Sequence, residues 1–298
     1  MSDNASRPDA TAARVLSNIR FGEVIVLQGA PLIGACFAIG ALTPNTLLPI
    51  VALTVGSLSL VAHICVFNDW SGIEGDLRDP ARTGQTFTAD GVTRRQFGLL
   101  AILLLATSLV VFAFLGAPSF FIALAMCGLS LLYSAPAFHM KGIPIFGSAL
   151  HFLGETLHFL LGYATFAAID ARSIVIGCFF GLVYAAGHLM HEVRGYDGDL
   201  ANGIRTNAVA FGKERTFIAS FALFTAAYTL IVVLAAVGAV PRVLIVAGAL
   251  YPIHLYASLR TWRAGLDLPS LYQLQTCYRV IYALIGVTMI AGLLFSRA

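Results

Sequence analysis

Charge is scarce in this chain of 298 residues, since only 11% of them are Asp, Glu, Lys or Arg, against about 25% in an average soluble domain. Hydrophobic residues make up 58%, and the mean hydropathy is +0.85. These values exclude an ordinary soluble globular protein and a disordered regulator. The net charge of +3 is small, and the basic residues are distributed as in a membrane protein and not clustered as in a nucleic-acid-binding patch. This excludes a nucleic-acid partner. The composition indicates an integral membrane protein with several spans of about 20 residues.

Cysteine is also rare, and none of the five cysteines has a second one at CxxC spacing. This excludes a zinc ribbon and gives no sign of a disulfide framework. The first 23 residues lack the apolar core of a removable signal peptide. We therefore expect residues 1–23 to be a cytoplasmic N-terminal segment and residues 24–296 to form a single transmembrane domain.

Long apolar runs bounded by Gly, Pro and charged residues predict nine transmembrane helices and hence an all-α, polytopic fold. The predicted spans are residues 24–42, 45–67, 97–115, 119–135, 144–169, 173–191, 215–237, 240–259 and 277–296.

The basic residues predict the orientation of these spans. If the N-terminus is cytoplasmic, fifteen of the eighteen Lys and Arg residues lie on the cytoplasmic side, and only Arg172, Arg242 and Arg297 lie outside. Such an excess is typical of cytoplasmic loops. The long connectors 68–96, 192–214 and 260–276 are all on that side, so we expect the active-site loops to face the cytoplasm, with a bacterial-type cytoplasmic membrane as the location.

Acidic residues cluster in two of these connectors, because seven of the fifteen fall within residues 68–79 and 192–199. Both segments follow an even-numbered span and share one pattern: a polar residue, an acid, a glycine three positions later and an aspartate seven positions later. They read Asn68-Asp69-Trp70-Ser71-Gly72-Ile73-Glu74-Gly75-Asp76 and His191-Glu192-Val193-Arg194-Gly195-Tyr196-Asp197-Gly198-Asp199. A solvated loop of mixed charge is the simpler alternative, but it does not explain the symmetry.

On a helix, residues seven positions apart share a face, so Asp69 pairs with Asp76 and Glu192 with Asp199. Carboxylates of this kind suit Mg²⁺, whose coordination is usually completed by water and substrate phosphates. Metal ions could neutralise a diphosphate so that its allylic carbon–oxygen bond ionises. Nearby basic residues that could complete a phosphate cradle are Arg78, Arg82, Lys141, Arg194 and Arg205. Arg78 and Arg82 fit equally well as anchors of membrane orientation.

The fifth predicted span carries His151, Glu155 and His158 along one stripe. Ionisable residues inside a span are functional-site hypotheses by default. The stripe could bind an acceptor hydroxyl or act as a general base. It could also hold a transition metal, or serve only to stabilise the bundle through a Glu–His pair.

Three motifs resemble those of the UbiA superfamily of intramembrane prenyltransferases. The NDxxDxxxD motif is matched by Asn68, Asp69 and Asp76, with Gly72 at its middle aspartate. The second motif, DxxxD ahead of a Gly-x-Lys/Arg-Ser/Thr run, is matched by Asp199 and by residues 203–206, with Gly195 at its first aspartate. The third, YSxP followed by a basic residue, reads Tyr133-Ser134-Ala135-Pro136 and then Lys141.

The resemblance covers the whole chain and implies nine helices around a lipid-accessible cavity. It implies that Asp69, Asp76, Glu192 and Asp199 bind Mg²⁺ with support from Asn68, and that Lys141 and Arg205 contact the diphosphate. It further implies that Tyr133 lies near the ionising carbon. Glu74, Glu192 and Asp197 are the carboxylates that could replace the two missing aspartates.

These expectations describe a transferase that moves a prenyl group from a polyprenyl diphosphate to an aromatic or other lipophilic acceptor. One alternative is a terpene cyclase, in which the substrate's own double bonds capture the cation and no acceptor is needed. A second alternative is a transporter or an inactive lipid-binding protein.

Overall fold

A computed structural model describes residues 12–40, 43–78, 83–138 and 140–295. All regular secondary structure within these ranges is helical, which confirms the predicted all-α fold. The α-helices are α1 Ala12–Ser17, α2 Phe21–Leu27, α3 Gly29–Ala38, α4 Pro44–Asp76, α5 Arg94–Leu115, α6 Ala117–Ser134, α7 Phe146–Ala164, α8 Ala171–Ala201, α9 Asn207–Phe211, α10 Lys213–Ala236, α11 Tyr251–Arg263 and α12 Leu268–Phe295. Short 3₁₀ segments occupy Thr83–Gln85, Met140–Gly142 and Arg242–Leu250.

Eight helical stretches in the described part of the chain are long and apolar enough to cross a membrane. They are Phe21–Ala38, Pro44–Asp76, Arg94–Leu115, Ala117–Ser134, Ala171–Ala201, Lys213–Ala236, Arg242–Arg263 and Leu268–Phe295. The remaining predicted span, 144–169, is the helix α7, whose apolar character is reduced by His151, Glu155 and His158. The prediction of a polytopic helical membrane protein is confirmed, with eight such stretches in place of nine.

Two helices continue well past their predicted spans. α4 ends at Asp76, where the span was expected to end at residue 67, and α8 ends at Ala201, where residue 191 was expected. With 33 and 31 residues, these helices are about 50 and 46 Å long, whereas the hydrocarbon core of a bilayer is about 30 Å thick. The two acid-rich segments therefore form the last turns of long helices.

Both ends of α8 are fixed by local chemistry. Asp170 caps its N-terminus by accepting a hydrogen bond from the backbone N–H of Ser173, and hydrogen bonding to Ser173 lowers the pKa of the Asp170 carboxyl. At the other end Gly203 has a φ of +67°, a conformation that glycine adopts at little cost. The N–H of Gly203 donates to the carbonyl of Leu200 at 3.2 Å, which ends the helix.

The chain divides into two compact units. Among the described residues, the first unit comprises 12–28 and 51–138, and the second comprises 29–50 and 140–295.

In the first unit, the C-terminal half of α4 is tied to the start of α5. The indole N–H of Trp70 donates to the carbonyl of Arg94 at 3.0 Å, and the guanidinium of Arg94 lies 4.9 Å from the centre of that ring. The absence of a side chain at Gly98 lets Trp70 approach. Phe97 is buried in the hydrophobic cluster of this unit. These contacts hold the motif-bearing end of α4 in place.

In the second unit, glycines bring α3, α7 and α8 into backbone contact. A Cβ atom at Gly162 of α7 would overlap the backbone of Pro31, and one at Gly34 of α3 would overlap the carbonyl of Phe159. A Cβ at Gly181 of α8 would lie 2.6 Å from the carbonyl of Phe152. Small residues that permit such close approach are typical of packed membrane helices.

We expect Gly162→Ala to destabilise the second unit, because α3 and α7 must separate to admit the methyl group. The free energy of unfolding in detergent should fall by about 1 to 3 kcal/mol. Gly154→Ala on the same helix is the control, since a Cβ there meets no atom within 4 Å. Equal stability of the two variants would contradict this packing.

Candidate functional site

The first acid-rich segment places Asn68, Asp69 and Asp76 on α4. Asp69 is held by a forked pair with Arg20, in which Nε donates to Oδ2 at 3.1 Å and Nη2 donates to Oδ1. The Asp69 side chain is 19% exposed. The amide oxygen of Asn68 accepts a hydrogen bond from Ser134 at 3.1 Å. The Asn-Asp motif is thereby joined to the Tyr-Ser-x-Pro motif, whose Tyr133 lies in the last turn of α6.

Arg20 is one of the fifteen basic residues that predict the orientation of the spans, and the structure shows it as the partner of Asp69, a predicted metal ligand. Burial by itself lowers the pKa of the Arg20 guanidinium, but the charges of Asp69 and of Glu23, 3.5 Å away, outweigh this effect and raise the pKa. Arg20 is therefore a permanent positive charge beside Asp69. The only sequence signal for this role is its position just before the first span.

The second acid-rich segment places Glu192 and Asp199 on α8, two turns apart. Glu192 is buried, with 5% of its side chain exposed. Its Oε1 accepts a hydrogen bond from Asn207 at 3.1 Å and lies 3.1 Å from Nε2 of His188. Its Oε2 is also buried and has no hydrogen-bond partner among the described residues. Asp199 is partly exposed.

The other two carboxylates proposed as replacements for the missing aspartates are in different surroundings. Glu74 is 73% exposed and lies 3.4 Å from Arg94. Asp197 is 81% exposed and lies 3.5 Å from Lys213. Each is a surface residue paired with a basic side chain. Of the three, only Glu192 is buried, and its Oε2 has no hydrogen-bond partner among the described residues.

The predicted stripe on α7 separates into two contacts. Glu155 Oε2 lies 3.5 Å from Nδ1 of His158, which is almost fully buried. His151 instead stacks on His188 of α8, with ring centres 3.7 Å apart and an interplanar angle of 12°, and its Nδ1 lies 2.7 Å from the carbonyl oxygen of Gly147. Glu155 and His158 thus form the Glu–His pair that was one of the alternatives for this stripe. His151 instead contacts His188, the neighbour of Glu192.

The predicted phosphate-binding residues lie in varied positions. Arg78 is exposed just beyond α4, Arg205 is exposed between α8 and α9, and Lys141 is half-buried in the Met140–Gly142 segment. Arg194 donates to Oε1 of Gln275 and lies 4.9 Å from the ring centre of Tyr272. Arg82, like the nearby Asp79, lies outside the described residues.

The donor set can be tested against a divalent metal ion. Within the described ranges, no three His, Cys, Asp or Glu side chains are grouped closely enough to hold a metal by themselves. Mg²⁺ usually takes only one or two carboxylates and completes its shell with water and phosphate, so a site for it does not require such a group. Asp69 in the first unit and Glu192 in the second each supply hard carboxylate oxygens. The residues present fit a magnesium ion.

Comparison with known proteins adds a family match. A model of the UbiA prenyltransferase family matches residues 29–269. The apo structure of a UbiA homolog from Aeropyrum pernix K1 has a TM-score of 0.75 at 16% identity, over 94% of this chain and 100% of that chain. A UbiA homolog from Archaeoglobus fulgidus bound to DMAPP and Mg²⁺ has a TM-score of 0.71 at 18% identity, over 93% of this chain and 99% of that chain. A search of curated proteins gives no match.

We expect the Arg20–Asp69 pair to contribute to stability, because the forked contact is partly withdrawn from water. A double-mutant cycle with Arg20→Gln and Asp69→Asn, measured by unfolding in detergent with EDTA, should give a coupling free energy of about 1 to 2 kcal/mol. The exposed pair Arg94 and Glu74 is the control and should give about 0 to 0.5 kcal/mol. A coupling no larger than that of the control would show that the contact is not maintained.

Proposed function

The chain belongs to the UbiA prenyltransferase family, and on this premise we propose that it is a Mg²⁺-dependent enzyme that moves a prenyl group from a polyprenyl diphosphate to an aromatic or other lipophilic acceptor. The observation that carries the proposal is the placement of scarce carboxylates on the last turns of α4 and α8, with one buried oxygen of Glu192 left open. The structure of the Archaeoglobus fulgidus homolog with DMAPP and Mg²⁺ supports it.

Four carboxylates would hold the metal ions: Asp69 and Asp76 on α4, and Glu192 and Asp199 on α8. Bound metal would neutralise the diphosphate as it leaves. Asn68, fixed by Ser134, would orient its neighbour Asp69.

The other residues proposed for the site would act on the substrate directly. Lys141, Arg205 and Arg78 would bind the diphosphate oxygens through charge-assisted hydrogen bonds. Tyr133 would lie beside the ionising carbon, where its ring face can stabilise positive charge. The prenyl tail and the acceptor would reach the site from the lipid.

We further propose that the N-terminus and the loops at the site face the cytoplasm of a bacterial-type cell. The distribution of the basic residues supports this orientation. Diphosphate substrates are charged and water-soluble at one end, so a site open to the cytoplasm can take them up without moving that charge through the bilayer.

We expect Asp69→Ala and Asp199→Ala each to reduce prenyl transfer at least 100-fold, since each removes a negatively charged ligand of the proposed metal ions. Both proteins should still insert into membranes, because the residues lie at helix ends. Glu74→Ala and Asp197→Ala are matched controls in the same two segments and should lose less than about 10-fold, since both carboxylates are exposed and paired with bases. Retained turnover in both Asp variants would refute the metal assignment.

A terpene cyclase is the second candidate, and the Glu155–His158 contact favours it. A histidine paired with a carboxylate can remove the final proton from a cyclised cation, and no acceptor is then needed. His151 lies on the same helix but stacks on His188.

Product analysis without an acceptor separates the two activities. We expect the purified protein, given geranyl, farnesyl or geranylgeranyl diphosphate and Mg²⁺, to release little diphosphate until a lipophilic acceptor is added. Cyclic hydrocarbon and free diphosphate in the absence of acceptor would establish the cyclase instead. Binding of a diphosphate analogue without any dependence on Mg²⁺ would favour the transporter or inactive lipid-binding protein.

A further inference from the structure

Asn207 connects three segments of the second unit through one buried side-chain amide. Its Oδ1 accepts a hydrogen bond from the backbone N–H of Ile145 at 2.7 Å. Its Nδ2 donates to Oγ of Ser148 and to Oε1 of Glu192, each at 3.1 Å. The residue is 5% exposed. The start of α7, the start of α9 and the buried carboxylate of α8 are thus held by one group.

The contact with Ile145 fixes an unusual backbone conformation. Ile145 precedes α7 with a φ of +71°, which is unfavourable for a β-branched residue. Such a conformation persists where surrounding contacts determine it. The amide of Asn207 supplies one of these contacts, so its position relative to α7 is closely defined.

Two side chains contact one carboxylate oxygen of Glu192, while the other oxygen has no hydrogen-bond partner among the described residues. Asn207 and His188 both contact Oε1, and the ring of His188 is itself held by the stacked ring of His151. Oε2 is buried without a hydrogen-bond partner among the described residues. A buried polar oxygen without a partner is unfavourable. A bound ligand at Oε2 would remove this cost.

Metal-binding carboxylates commonly have one oxygen on the metal and the other held by neighbouring side chains. We infer that Asn207 and His188 are positioning residues that orient Glu192 so that Oε2 can bind a divalent metal ion. The inference rests on the proposed function. The family motif has an aspartate at the position of Gly195, and the inferred ligand, Glu192, lies one helical turn before that position. It makes Glu192 the replacement for that missing carboxylate.

Metal affinity can be measured apart from catalysis. Mn²⁺ binding to the detergent-purified full-length chain, followed by electron paramagnetic resonance of the free ion, is compared among the wild type, Glu192→Gln, Asn207→Ala, His188→Phe and Ser148→Ala. The phenylalanine keeps a ring for His151 to stack on but has no nitrogen to contact Glu192. Ser148→Ala is the matched control, because it removes a hydrogen bond of Asn207 and leaves the contact with Glu192. Thermal unfolding with EDTA confirms which variants are folded at the temperature of measurement.

We expect Glu192→Gln, Asn207→Ala and His188→Phe each to weaken Mn²⁺ binding, the last two by about 10- to 100-fold, while Ser148→Ala binds like the wild type. Wild-type affinity in both Asn207→Ala and His188→Phe would overturn the positioning roles, and wild-type affinity in Glu192→Gln would overturn the ligand assignment. If Asn207→Ala is unfolded, His188→Phe decides.

The same measurement separates this inference from the proposed function. Loss of Mn²⁺ binding in Asp69→Ala and Asp199→Ala, with wild-type binding in Glu192→Gln, would leave the proposed function intact and reject only the role of Glu192. A wild-type protein that binds no Mn²⁺, with or without inorganic diphosphate, would reject both.

Discussion

The close approach of α7 and α8 is the constraint on which the second unit depends. Gly181 lets the carbonyl of Phe152 come within a distance that no larger residue would allow. Because the two backbones are so close, His151 can stack directly on His188. That stack in turn limits the side chain beside Glu192. The packing of Gly181 against the backbone of α7 is therefore connected, through the two stacked rings, to the carboxylate of Glu192.

The few charged residues near the proposed site are balanced in different ways. In the first unit Arg20 neutralises Asp69 through a forked pair. In the second unit the described side chains that contact Glu192 are those of a histidine and an asparagine. Under the proposed function, Asp69 would exchange its contact with Arg20 for a metal ion, whereas the described contacts of Glu192 include no arginine or lysine. Two carboxylates with the same proposed role thus start from different electrostatic states.

Much of the fold follows from local sequence patterns. Apolar runs of suitable length indicated the helices, and the paired motifs indicated that the acidic residues lie two turns apart on helices that indeed continue to Asp76 and Ala201. The apolar runs did not reveal where α4 and α8 end, because they stop at residues 67 and 191 while the helices continue through the polar segments that follow. The side chains that contact the site residues could not be predicted from the sequence, for a different reason. Arg20 is 49 residues from Asp69, and Asn207 is 62 residues from Ile145, so these contacts depend on tertiary packing that no short motif encodes.

The composition of α7 has a consequence for biosynthesis. Three ionisable side chains make this helix the least suited of the long helices to enter lipid alone. Its polar groups are accommodated by contacts such as His151 on His188 and by glycine-lined contacts with α3 and α8. During synthesis α3 has already emerged when α7 leaves the ribosome, but α8 has not. The contacts of α7 with α8 can therefore form only after the following helix has been synthesised.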